Sequence, residues 1–375
     1  MNILIIGTGL SGCALGRKLN DKGHHVEFIE KERQIGGLCI TRANKDGLLY
    51  EPYGARTFHS SNARIVDFIT EFAAFNGYVH RKGIVIDGRL FPFPLTQEAI
   101  AGFPEKEGIL EELSRRPDGI DRTDFERACI SIFGKTLYGL FIENYTRKMW
   151  GAHPAALRAD MALRRLELRE GRQDDRLFKN QWQGLPRGGY SRWLENMIAG
   201  MSVELKTTDF IPERYDVVVS SAPIDGLLKF KFGKLEYRSM TFHYAHEDAW
   251  ENMGYGTINL PQHRAYVRKC NFNVLHRKKA KYHFVQYQRP VGYDGRNMPM
   301  YPVATQENVK VFDRYLRAIC RSGNICPLGR LGLFKYLDMD KAVEMAMAMV
   351  PIVEKYPRMS AVERYREIRR LVDSF

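Results

Sequence analysis

None of the six cysteines (Cys13, Cys39, Cys129, Cys270, Cys320, Cys326) forms a C-x-x-C pair, so zinc-knuckle and thioredoxin-like readings lack their ligand spacing. Six cysteines in 375 residues are also too few for a disulfide scaffold, and reduced thiols in a cytoplasmic protein are expected. No run of five or six like charges occurs, which argues against a basic nucleic-acid arm. Long apolar runs are missing as well. The longest, Met345 to Val353, contains Pro351 and is about half a membrane span. The apolar run Ile3 to Ile6 has no basic region before it and is too short for a signal peptide. There is no internal repeat and no low-complexity linker. These absences exclude disordered, fibrous, secreted-miniprotein and membrane-spanning classes and leave a soluble cytoplasmic protein as the expectation.

What remains is the balance of an ordinary globular chain: 44% hydrophobic and 27% charged residues, with length for two or three domains. Lys and Arg number 57 against 44 Asp and Glu, a net charge of +13. With the cations dispersed, a small phosphorylated ligand is a nearer explanation than nucleic acid or an anionic membrane surface.

Ile3 to Ile6 reads as a buried parallel strand ending in glycines, Leu10 to Asp21 as a helix, and His25 to Glu30 as an alternating second strand. Together they make a βαβ unit. Between Glu105 and Trp150 the period becomes helical: Ile109, Leu110 and Leu113, then Phe125, Ala128, Ile132, Leu137, Leu140 and Phe141. From Leu228 to Val303 strand signals dominate, for example Lys234 to Tyr244 and Tyr282 to Tyr287. Tyr215 to Ser220 returns to the buried-strand pattern. The tail from Met339 is helical, with Val362, Tyr365, Ile368, Val372 and Phe375 on one face. The fold expected is α/β: a Rossmann-like domain with an inserted helical domain and a mostly antiparallel sheet domain.

Gly7-Thr8-Gly9-Leu10-Ser11-Gly12 is G-x-G-x-x-G placed between strand and helix. Its glycines permit the tight turn, the approach of a pyrophosphate to the helix N-terminus, and close helix–strand packing. Glu30 ends the second strand 18 residues after Gly12, where a carboxylate accepts from ribose hydroxyls. A second glycine pair, Gly36-Gly37, follows that acidic residue, and the two elements in register favour FAD over NAD.

Beyond this point the chain resembles the UDP-galactopyranose mutase family of flavoenzymes over nearly its whole length. The blocks that carry the resemblance, after the fingerprint, are Tyr53-Gly54-Ala55-x-x-Phe58-His59, Tyr145-Thr146-x-Lys148-x-Trp150-Gly151, and Gln183-Gly184-Leu185-Pro186-x-Gly188-Gly189-Tyr190. They continue with Leu235-Glu236-Tyr237-Arg238-Ser239, Tyr301-Pro302-Val303 and Gly329-Arg330-Leu331-x-x-x-Lys335-Tyr336-x-Asp338-Met339. The resemblance implies interconversion of the pyranose and furanose forms of a nucleotide sugar, UDP-galactopyranose to UDP-galactofuranose in first place. N5 of reduced FAD attacks the anomeric carbon and displaces the nucleoside diphosphate, with no net redox change. It further implies an isomerase of cell-surface polysaccharide biosynthesis, a possible homodimer, and no metal. The domain limits it implies are 1–80, 184–230 and 318–375 for a discontinuous FAD domain, 96–182 for a helical domain with a mobile substrate loop, and 81–95 with 231–317 for the sheet domain.

Carried over residue by residue, the resemblance assigns Gly7, Gly9, Leu10, Ser11, Gly12, Glu30, Lys31, Gly37, Leu38, Gly54, Arg56, Thr57, Arg330, Asp338 and Met339 to the cofactor. Arg165 and Arg268 match the diphosphate ligands, as forked donors suit a leaving diphosphate. Tyr301 and Tyr336 match its phenol donors. His80, Tyr145, Thr146, Trp150, Leu177 and Phe178 line the sugar and base, while Arg56 and His59 stand at the flavin edge. Three of these depart from the family pattern: Arg56 stands for a His, His80 for an Asn, and Leu177 for a base-stacking Tyr. The segment at Arg164 and Arg165 aligns only with a one-residue shift. The departures fall at the flavin edge, sugar and base, which leaves open another nucleotide sugar as substrate. An amine-oxidase-like FAD oxidoreductase shares the fingerprint but gives no role to paired arginines and tyrosines, and a flavoprotein without catalysis is the remaining alternative.

Overall fold

The computed structural model describes residues 1–163, 166–169, 176–248 and 254–375. The chain opens with β1 (Asn2–Ile6), α1 (Leu10–Asp21) and β2 (His25–Glu30). A strand pair follows, β3 (Lys82–Ile86) and β4 (Arg89–Phe93), then helices α2 (Lys106–Ser114), α3 (Phe125–Leu137) and α4 (Asn144–Trp150). Next come β5 (Ser202–Leu205), β6 (Val217–Ser220), β7 (Tyr237–Asp248), β8 (Thr257–Asn259), β9 (Arg268–Asn271), β10 (Tyr282–Gly292) and β11 (Tyr301–Pro302). The chain closes with α5 (Gln306–Arg321), β12 (Ile325–Pro327), α6 (Met339–Lys355) and α7 (Ala361–Ser374).

Five strands form a parallel sheet in the order β5-β2-β1-β6-β12. Ile3, Leu4 and Ile5 are wholly buried: Ile3 and Ile5 pack into the main core with α1, and Leu4 packs on the other face with Ile29, Val218, Phe210 and Tyr215, so this two-sided strand is apolar throughout. α1 lies close against it because Gly12 has no side chain; a Cβ there would run into the Gly7 carbonyl oxygen. The G-x-G-x-x-G glycines are therefore partly a packing requirement of the fold.

The second sheet has seven strands in the order β11-β7-β10-β9-β8-β3-β4. It is antiparallel except where β8 runs parallel to β3, with Thr257 opposite Lys82. That one parallel pairing brings the chain's early segment beside Asn259 and Arg268. The ladder begins later than expected, at Tyr237 rather than Lys234, because the buried Asp225 carboxylate accepts the Leu235 N–H at 2.9 Å and holds that stretch as a loop. It also runs further, to Asp248.

α2, α3 and α4 build a separate apolar cluster with Ile84, Ile86 and Phe91 of the β3–β4 pair. Leu110, expected in this core, is instead 52% exposed; Ile109 takes the inward position beside it. A π-helical turn, Tyr138–Glu143, joins α3 to α4 and rotates the face that follows, a recurrent device near functional sites. In the C-terminal helix Val362 is likewise exposed, since the Ser360–Glu363 capping box starts α7 at Ala361 and leaves Val362 in the outer first turn. Ile368 and Val372 are buried as expected. All six cysteines are free and buried. Among the described residues no helix is long and apolar enough to cross a membrane.

Candidate active site

The βα turn after β1 is shaped for a dinucleotide. α1 has Gly9 as its N-cap and no side-chain cap, so its first N–H groups are left for a ligand's phosphates. A Cβ built at Gly9 meets nothing of the protein, so that glycine answers to no packing need of the chain, in contrast to Gly12. Gly37, at φ +55°, closes on Gly9 from the second glycine pair; a Cβ there would lie 3.3 Å from the Gly9 Cα. The buried Glu30 carboxylate is pre-set by its own chain. Oε2 accepts from the Thr8 N–H (2.9 Å) and the Thr8 hydroxyl (2.8 Å), and Oε1 accepts from the Glu32 N–H (3.0 Å). Oε1 thus keeps a lone pair for a ribose hydroxyl. Leu10 is buried in the core, and Lys31 stands exposed at the rim beside Glu32.

The late segment returns to this turn. A Cβ at Gly329 would lie 3.3 Å from the Ser11 side chain, which puts the Gly329–Arg330 turn against the fingerprint. Arg330 donates to the carbonyls of Met300 (3.1 Å) and Leu337 (2.6 Å). Its guanidinium lies over the rings of Tyr336 and Tyr301, 4.8 and 5.6 Å from their centroids. Met339 begins α6 with Asp338 as N-cap. Arg56 donates to the Gly54 carbonyl at 2.8 Å. These residues fit a dinucleotide cofactor.

A cavity of about 660 Å³ adjoins this region, and it gathers Tyr145, Thr146, Trp150, Leu177, Arg268, Tyr301 and Tyr336. Arg268 leads β9 and donates through Nη2 to the Tyr145 hydroxyl at 2.7 Å. Tyr301 and Tyr336 stack with their centroids 6.0 Å apart, and Trp150 meets Tyr301 edge-on. Burial, and then Tyr336, push the Tyr301 phenol above its ordinary pKa, while Arg268, Arg330 and Arg56 pull the other way. Three guanidiniums therefore converge around a phenol that stays protonated as a donor. Leu38 packs on the Met149–Met240–Val267–Met300 cluster together with Tyr145, Trp150 and Tyr301, so the glycine-pair loop and the cavity share one wall.

Three expected site residues stand apart from that cavity as a stack. His59 lies flat on Phe178 at 3.6 Å, and Phe178 is tilted against His80 at 5.8 Å. The His80 ring is buried with Nδ1 3.1 Å from the Thr57 hydroxyl and Nε2 3.0 Å from the Thr257 hydroxyl. Both nitrogens are thus taken by the protein, and Thr57 is occupied as their partner. His59 Nδ1 lies 3.0 Å from the Asn180 amide oxygen. Arg165, like Arg164, lies outside the described residues.

Lys82 and Asn259 are among the cavity residues not singled out in the sequence. Lys82 is buried yet lines the cavity, its ammonium 5.5 Å over the Phe93 ring. Asn259 lines it as well and accepts from Arg268 Nε at 3.4 Å. A lysine at the head of the apolar strand K-G-I-V-I was the available signal for the first; a lone Asn offered none.

A family model described as UDP-galactopyranose mutase matches residues 140–336, and one described as an NAD(P)-binding Rossmann-like domain matches residues 5–72. The chain is 30% identical to a probable UDP-galactopyranose mutase of Klebsiella pneumoniae, over 92% of this chain and 93% of that protein. It is 28% identical to a dTDP-fucopyranose mutase of Escherichia coli, over 92% of this chain and 96% of that one. The crystal structure of a reduced UDP-galactopyranose mutase superposes with a TM-score of 0.78 at 15% identity, covering 99% of this chain and 97% of the other. The fold, the dinucleotide turn and the full-length likeness agree: the chain belongs to the UDP-galactopyranose mutase family of flavin-dependent nucleotide-sugar isomerases.

Proposed function

We propose that this protein interconverts the pyranose and furanose forms of UDP-galactose, with reduced FAD as the working cofactor. The observation that carries this reading is the convergence of Arg268, Tyr145, Tyr301 and Tyr336 on one cavity that adjoins the Gly329–Arg330 turn of the dinucleotide site. Reduced FAD, when bound, supplies the nucleophile for the anomeric carbon. The chain's own residues hold the diphosphate while its bond to the sugar breaks. Arg268 meets the developing charge with forked donors, and Arg165 is its partner in this reading. Tyr301 and Tyr336 donate phenol protons in hydrogen bonds to phosphate oxygens. Trp150, Thr146 and Leu177 wall the sugar pocket against water and keep the diphosphate close enough to return. His59, His80 and Phe178 support the flavin and base ends through their stack. A homodimer, a cytoplasmic location, a role in cell-surface polysaccharide synthesis and the three-domain division of the chain go with this reading.

A dTDP-linked 6-deoxyhexose is the second substrate to consider, because the fucopyranose mutase likeness spans the same share of the chain at nearly the same identity. Dithionite-reduced and air-oxidised enzyme should be incubated with UDP-galactopyranose and dTDP-fucopyranose, and the products separated by ion-exchange chromatography. A furanose product from the reduced enzyme alone supports the proposal. Oxygen-consuming amine oxidation with no isomer formed would overturn it.

A further inference from the structure

Lys148 belongs to the same short helix as Tyr145, Thr146 and Trp150, but its side chain does not line the cavity. Its ammonium donates to three backbone carbonyls, those of Leu260 (2.9 Å), His263 (2.6 Å) and Tyr266 (3.1 Å). An ammonium has three N–H donors, so all three have an acceptor here. The carbonyls belong to one loop, the connection between Asn259 at the end of β8 and Arg268 at the start of β9. That loop is closed at its base by the Leu260 N–H donating to the Val267 carbonyl at 2.9 Å. The last turn of the helix is held as well by Arg238, which donates to the carbonyls of Met149 (2.9 Å) and Lys148 (3.0 Å). Tyr145 lies three residues before Lys148, on the same side of the helix, and it is the residue that meets Arg268.

The geometry points to Lys148 as a positioning residue for the diphosphate site: by tying α4 to the Leu260–Tyr266 loop it sets the spacing between Tyr145 and Arg268. This inference rests on the mutase reading of the cavity. Burial pulls the Lys148 pKa down to about 8. Among the described residues no charged neighbour contributes to that shift; around the tie, Arg238 donates to the Lys148 carbonyl, the His263 ring accepts from the Ala265 and Tyr266 N–H groups, and Arg147 pairs with Glu143. The tie therefore loosens at mildly alkaline pH, when the amine keeps one donor fewer and no charge.

The test uses FAD-loaded protein and UDP as the probe, titrated by calorimetry at pH 7 for the wild type, Lys148→Met, Tyr145→Phe and the double variant. Lys148→Met should keep its flavin and bind UDP roughly 10-fold more weakly, the scale of losing hydrogen bonds to a charged group. In the Tyr145→Phe background the same change should cost much less, since the link it serves is already cut. Equal losses in both backgrounds would overturn the proposal and leave Lys148 a general anchor. If Lys148→Met does not fold, wild-type UDP affinity between pH 7 and 9 decides: a fall through about 8 supports the proposal, and a flat profile overturns it. A wild type that binds dTDP and not UDP moves the same test to dTDP as the probe, whereas a wild type that binds neither refutes the mutase reading on which the inference stands.

Discussion

The hydroxyl of Tyr145, on a helix of the inserted region, accepts a hydrogen bond from Arg268 Nη2 at the start of a sheet strand, 2.7 Å away and 123 residues later in the chain. A flexible guanidinium is thereby oriented before any ligand arrives, which lowers the entropy lost on binding. Arg268→Ala should lower kcat by ~10²–10³, as for other groups that stabilise a developing anion, with FAD content and spectrum unchanged. Arg268→Lys should recover only part, because a point charge does not reproduce forked donors. Steady-state kinetics on the reduced enzyme check both, and near-normal activity in Arg268→Ala would remove this residue from the diphosphate site.

The two glycines of the fingerprint should part company on substitution. Gly9→Val places its side chain in space free of protein, so the chain should fold but purify colourless, with little FAD released by acid. Gly12→Val drives its Cβ into the Gly7 carbonyl and should lower the melting temperature or abolish soluble protein. Circular dichroism together with flavin absorbance separates the two outcomes. Stoichiometric NAD(P) in the wild type, in place of FAD, would defeat the cofactor assignment.

In the proposed reading Arg56 sets a permanent positive charge at the flavin edge, where a cation favours the electron-rich reduced cofactor. Arg56→Met should lower the flavin midpoint potential by roughly 30 mV, equal to about 1.4 kcal/mol for two electrons. Dye-linked reductive titration measures this without turnover. An unchanged potential would show that the guanidinium does not face the isoalloxazine.

Acid should loosen the C-terminal helix first. Burial opposes ionisation of Asp313 on α5, but the Tyr365 hydroxyl and Arg317 more than offset it, and its carboxyl is held below the usual range. A depressed folded pKa contributes stability that is present above the unfolded value of about 3.9 and is lost as pH falls through the folded one. Asp313→Asn should therefore cost about 1 kcal/mol at pH 7 and less at pH 3, below the unfolded value, where part of that stability is gone. Denaturant melts at the two pH values test the difference, and an equal loss at both would mean that the charge is not what matters.

Some of this molecule was legible in its sequence because the requirement was local. A strand that ends in glycines, a helix whose small residues face the sheet, and an acidic residue at the end of the next strand each express a backbone or contact need settled within about 30 residues, and β1, α1 and β2 fall where those needs put them. The order of short blocks along the chain also identified the family, and with it Arg268, which composition alone would have left among 57 anonymous cations. What the tertiary structure decided is which side chains meet. Lys82, Tyr145, the Asn259–Arg268 hairpin, Tyr301 and Tyr336 come from separate segments; the parallel β8–β3 pairing and the docking of α4 on the β8–β9 loop bring the first three to one cavity, and the pairing of β11 with β7 sets Tyr301 there. The His80 ring is held by two threonines from different segments, and Leu110 and Val362 turned outward although their helical spacing matched their buried neighbours. Periodicity reports which face of a helix is apolar, but the depth at which each position sits depends on the elements packed against it, and those are set by contacts that no local pattern records.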